Sequence, residues 1–177
     1  PWGQEPARGG GDQAISQLFY YIGKFFAWMD PPDHTRFRKM LSDVFTPRSV
    51  EQLRPRIVRL VHDLVDNLPV GEPFDFVEPF SFHLPVIVIS EYLGTPPEAR
   101  GEVRRWSDEL SHAIFVRAQD GVPVQDRAER GERAIGNFAR FFQEIIDARR
   151  AAPRDDLISR MVAVRHGDDS LTDDEII

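Results

Sequence analysis

A mainly α-helical fold is what this sequence predicts, and three observations carry the prediction. Apolar residues recur at helical spacing in segment after segment, Thr or Asp followed by Pro or Glu opens many of them, and Gly or Pro closes them. With 177 residues and 41% hydrophobic content, the chain is long enough for one compact domain with a buried core.

The opening, Pro1 to Gly11, is rich in Gly and Pro and reads as loop. Phe19, Tyr20, Tyr21, Phe25, Phe26 and Trp28 cannot share one stripe of a surface helix, so this stretch is expected to be covered on both sides. Asp30 can cap, Pro31 and Pro32 suit a first turn, and Phe37, Met40, Leu41, Val44 and Phe45 form one stripe; together they predict a helix from about Pro31 to Phe45. Thr46 and Pro47 restart the chain and Pro55 interrupts it. Ile57, Leu60, Val61, Leu64 and Leu68 then give a second stripe that ends near Pro69 and Gly71. Phe74, Phe76 and Phe80 surround a short piece expected to be extended.

Periodicity alone does not separate strand from helix in the apolar run Phe82 to Leu93. Its length favours a buried central helix, although Val86 to Ile89 are four β-branched residues in a row. Thr95, Pro96 and Glu98 have the form of a capping box, opening a helix striped by Val103, Trp106, Leu110, Ala113 and Ile114. After a polar loop at Gly121 and Pro123, a long helix points Ile135, Phe138, Phe142 and Ile145 inward and its arginines outward, ending at Arg149, Arg150 and Pro153. Asp155 or Asp156 starts a shorter helix carrying Leu157, Ile158, Met161 and Val162, closed at Gly167. Thr172 and Glu175 form another capping box, and Ile176 and Ile177 follow at once. The chain therefore stops one turn into a helix and begins with Pro1, so both ends are expected to be cut.

A net charge of −7 without a basic stripe argues against nucleic-acid binding. The absence of cysteine excludes a disulfide, a thiolate nucleophile or a thiolate metal ligand within the chain. No stretch has the length of a membrane span and the start has no signal pattern, which makes a cytoplasmic location the expectation. His62, His83, His112 and His166 lack metal-ligand spacing, and no nucleophile–base pair or phosphate loop is present.

The run MDPPDHTRFR, Met29 to Arg38, with Phe45, Thr46, Pro47 and Arg48 after it, resembles the segment that opens helix C of bacterial cytochromes P-450. FHLPVIVISEYLGTP, Phe82 to Pro96, is similar to the family's helix E and the turn into helix F. DDLISRMVAV, Asp155 to Val164, and GDDSLTDDEII after it are similar to helix H and the entry to helix I. The resemblance runs in order from about Asp30 to Ile177. It implies a single partial domain, with residues 1–29 a variable B–C loop region, residues 30–177 helices C to the start of I, and no carboxy-terminal haem-thiolate half.

By the same resemblance, His34 and Arg38 hold the haem propionates. Four residues is one turn, so both project from one face, where an imidazole N–H and a guanidinium suit carboxylates; without the surrounding motif they would read as a solvated helix face. Arg36 and Lys39 would lie toward an electron-donor protein, with plain surface charge an equal reading. Phe26, Ile114 and Phe115 would line an apolar substrate pocket, although each alone reads more simply as core. The implied parent protein is a monooxygenase that inserts one O2-derived oxygen into a hydrophobic substrate, using haem b and a ferredoxin-type donor. The axial cysteine, the acid–threonine pair of helix I and the Glu-x-x-Arg helix are all missing here, so the chain alone is expected to be inactive. The alternatives are a non-enzymatic helical small-molecule-binding module and an inactive truncated gene product.

Overall fold

A computed structural model describes residues 19–20, 22–114 and 121–177. The expectations for Pro1 to Gly11, Tyr21 and Phe115 fall outside them. The principal helices are α1 (Asp33–Val44), α2 (Pro47–Glu51), α3 (Arg54–Asp66), α4 (His83–Leu93), α5 (Arg100–Ile114), α6 (Val124–Ala151), α7 (Leu157–Ala163) and α8 (Asp173–Ile176). Between α7 and α8 lies a hairpin of β1 (Arg165–His166) and β2 (Asp169–Ser170), in which His166 pairs with Asp169. Gly167, at φ 61°, makes its tight turn.

The apolar stripes account for the packing. Phe37, Met40 and Val44 of α1 meet Leu157 and Met161 of α7 and Leu171 beyond the hairpin, with Met40 only 1% exposed. Ile145 and Ile146 of α6 close on Ile158. At the other end of α6, Ile135 and Ala128 pack with Ala113 and Ile22, and with Leu110 and Ile114. Trp106 of α5 lies edge-on to Phe138 and Phe141, with ring centroids 5.5 and 5.8 Å away.

Several local expectations are corrected. Asp30 does not cap α1 with its side chain; Pro32 is the N-cap residue, and the Asp30 carbonyl accepts from His34 N instead. Thr95 is not a capping box: its hydroxyl and its amide both donate to the Ser90 carbonyl, finishing α4 rather than starting α5, which is entered through a 3-10 turn at Pro97–Ala99. The piece around Phe76 and Phe80 is a π-helical turn, Val77–Phe82, on which those two rings stack. The run to Leu93 is helical as its length predicted, but it is not buried. Ser90 is its one buried residue and Ile89 is 57% exposed, because within this chain α3, α5 and α7 cover only part of a mostly apolar helix. Phe19 and Trp28 are likewise exposed, so the described residues do not cover the aromatic stretch on both sides.

Two arginines of α6 depart from the outward expectation: Arg127 is buried, its Nη2 donating to the Val122 carbonyl at 2.7 Å, and so is Arg149. The Arg149 side chain is 6% exposed; Nε donates to Asp156 Oδ2 at 2.5 Å and Nη2 to the Gly94 carbonyl at 2.7 Å. Asp156, rather than Asp155, is the N-cap of α7 and accepts from Ser159 N at 2.8 Å.

The capping box at Thr172 and Glu175 forms as read. The Asp173 side chain beside it receives hydrogen bonds from Arg150 and, at 2.8 Å, from Gln143. The Arg150 guanidinium, with that amide, holds the Asp173 carboxyl at a pKa of about 2, below its ordinary 3.8. A depressed carboxylate contributes stability above its unfolded value and loses it as pH falls through its folded one. Because Arg150 is half exposed, the contribution should be on the order of 1 kcal/mol. Asp173→Asn is therefore expected to be less stable than the parent at neutral pH, with the gap closing near pH 2 in a pH series of urea midpoints.

Candidate functional site

The face of α1 that bears His34 and Arg38 flanks the buried stripe of the same helix. Phe37, Met40 and Val44 take the core, which turns the pair at one-turn spacing away from it. His34 is half-buried, and its ring lies flat on Phe26, with centroids 4.7 Å apart and planes 8° apart. Phe26 in turn stacks on Phe37 at 5.4 Å. A stack on one face favours this orientation of the imidazole. Arg38 is exposed, and no hydrogen bond or ion pair with another described residue engages its guanidinium. The His34 ring nitrogens are also unclaimed among the described residues. Two neighbouring nitrogen donors without protein acceptors form a set that suits two carboxylates.

Arg36 has a different setting. Its Nε and Nη2 donate to the two oxygens of Asp169, both at 2.8 Å, Nη2 also reaches the Ser170 carbonyl at 3.0 Å, and Nη1 reaches Glu175 Oε1 at 2.5 Å. The guanidinium holds the Asp169 carboxyl below the usual carboxylate range. Arg36 is thus internally paired, whereas Lys39 is exposed.

Beside the Phe26 stack is a cavity of about 510 Å³, walled among others by Phe26, Phe37, Phe138, Phe142, Met161 and Ile176. Ile114 is not on this wall; it packs on the cluster of Ile22, Ala113, Ala128 and Ile135. This open, mainly apolar cavity, with Lys24, Asp174 and Glu175 also on its lining, can hold a hydrophobic molecule of moderate size. Among the described residues no group of His, Asp and Glu could hold a metal ion, and no helix is long and apolar enough to cross a membrane. His83 and His112 each contact a carbonyl of their own neighbourhood, and His166 faces Asp43 at 2.8 Å.

The sequence pattern singles out His34, Arg38 and Phe26 but does not show that Arg36 has internal partners. The capping box pointed to Glu175; nothing in the sequence pointed to Asp169, which is 133 positions away.

No family model matches the chain. It is 36% identical over 163 residues to cytochrome P450 CYP107DY1 of Priestia megaterium, covering 87% of this chain and 38% of that protein. It is 37% identical over 157 residues to the 6-deoxyerythronolide B hydroxylase of Saccharopolyspora erythraea, covering 88% and 36%. Among solved structures, the cytochrome P450 PksS of the Bacillus subtilis bacillaene polyketide synthase matches with a TM-score of 0.77 at 31% identity, over 90% of this chain and 39% of that one. The chain spans little more than a third of the length of the proteins it matches.

Proposed function

This chain belongs to the bacterial-type cytochrome P450 family, and from that premise we propose that it supplies the propionate-holding helix and part of the substrate enclosure of a haem-dependent monooxygenase. Haem b, held by a cysteine thiolate that this chain does not contain, would supply the activation of O2 for insertion of one oxygen atom into an organic substrate.

The chain's own residues have simpler tasks. His34 and Arg38 donate to two carboxylates from one face of α1, and the stack on Phe26 favours this orientation of the imidazole. The apolar wall formed by Phe26, Phe37, Phe138 and Phe142 favours a hydrophobic substrate. Ile114 contributes only from behind, through the α5–α6 packing. A ferredoxin-type protein is the proposed electron donor. Lys39 belongs to the surface proposed to receive it, and Arg36 contributes only through its paired charge. The naming of one relative as a hydroxylase supports the reaction class.

The observation that carries this reading is the His34–Arg38 pair, one turn apart on α1 and unclaimed among the described residues. Each charge-assisted hydrogen bond is worth about 1.5–3 kcal/mol, so His34→Ala and Arg38→Ala are each expected to weaken haem binding by about tenfold or more. Transfer of haem to a scavenging apoprotein, followed by Soret absorbance, measures this in the protein that carries the chain. Unchanged haem retention in the double variant overturns the assignment.

A further inference from the structure

The geometry points to Arg36 as a positioning residue that sets the rotation of α1, and with it the aim of His34 and Arg38, against the hairpin and the first turn of α8. This rests on the propionate reading above. On a helix, Arg38 lies roughly 40° around the axis from His34, whereas Arg36 lies roughly 200° away, so Arg36 grips α1 from the far side. All three of its guanidinium nitrogens are used: a two-pronged pairing with Asp169, a further bond to the Ser170 carbonyl, and one to Glu175. A planar fork held in this way fixes direction as well as distance.

A second contact makes the hairpin a two-point clip. Asp43 stands seven residues after Arg36, two turns along the same face and about 10.5 Å away. Its Oδ2 lies 2.8 Å from His166 Nε2, a close contact without hydrogen-bond alignment that becomes an ion pair when the imidazole is protonated. His166 and Asp169 are directly opposed in the hairpin. A cation and an anion on α1 therefore meet an anion and an imidazole on the hairpin, a register that opposes sliding of the helix.

The same contact reaches α8. Glu175 gives one carboxylate oxygen to Arg36, while the other accepts from Thr172 N at 2.8 Å and Thr172 Oγ1 at 3.1 Å. Arg36 thus braces the capping box that starts α8, and Glu175 and Ile176 line the same cavity as Phe26 and Phe37. One guanidinium couples the carboxylate-binding helix to α8 and so to part of the cavity lining.

The test uses Arg36→Gln and Arg36→Lys in the protein that carries the chain, with haem-transfer rate and backbone hydrogen exchange as readouts. Leu60→Ala on α3, remote from the clip, serves as a control for general loosening. Arg36→Gln is expected to speed haem loss roughly tenfold, as loss of an outer partner behind a ligand residue does, and to raise exchange in both 33–44 and 173–176. Arg36→Lys, which keeps the charge and loses the fork, should not restore either; Leu60→Ala should leave haem loss near the parent rate. Parent-like haem loss in Arg36→Gln, while His34→Ala and Arg38→Ala still weaken binding, overturns the positioning role alone. Parent-like behaviour in all three overturns the propionate reading beneath it. Full rescue by Lys also overturns the role, because a point charge would then suffice.

Discussion

Arg149→Met is expected to destabilise the fold by about 3–5 kcal/mol, the cost of stranding one member of a buried ion pair. Both side chains of the Arg149–Asp156 pair are 6% exposed. The guanidinium also satisfies the Gly94 carbonyl, so one truncation leaves a buried carboxylate and a carbonyl without their donor. Asp156 cannot turn to solvent without giving up Ser159 N, and with it the start of α7. Methionine fills most of the arginine stem, which separates this electrostatic loss from a cavity. Urea unfolding measures it as a lower midpoint at an unchanged slope. A loss under about 1 kcal/mol would place the pair in the range of exposed salt bridges and refute the buried assignment.

That node also marks how far the sequence could be read. The stripes of α1, α3, α5 and α6 were legible because a 3.6-residue period shows which side is apolar, and Phe37, Met40, Trp106, Ile135 and Ile145 lie inward accordingly. Period says nothing about which charge is buried. Arg149 sits at the end of a helix rich in arginine, and its partners come from the end of α4 and the start of α7. The hairpin was missed because two-residue strands are too short to display alternation. Thr95 carried a true capping signature, yet the left-handed Gly94 before it had already committed the hydroxyl to Ser90. In the candidate site, the one-turn spacing of His34 and Arg38 was readable, whereas the Phe26 stack and the Arg36 network depend on chain returns that no local pattern records.

Gly94→Ala is expected to cost a similar amount by a different mechanism. Gly94 has φ 79°, the left-handed conformation that ends α4, and an alanine there costs on the order of 1 kcal/mol in backbone terms alone. The added Cβ would also lie 2.2 Å from Asp156 Oδ2 and 2.7 Å from Asp156 Cβ, closer than non-bonded atoms can approach. The carboxylate has no free direction of retreat, because Arg149 holds one oxygen and Ser159 N the other. The sum of conformational strain and a broken buried pair is about 3–5 kcal/mol. Since both substitutions act on the same carboxylate, their costs should not add. Once Arg149 is gone, Asp156 can yield to the methyl group, and the double variant should be less destabilised than the sum by about 1–3 kcal/mol. A double-mutant cycle in urea reads this coupling directly. Additivity to within about 0.5 kcal/mol would show that Gly94 and Arg149 stabilise the chain through separate contacts.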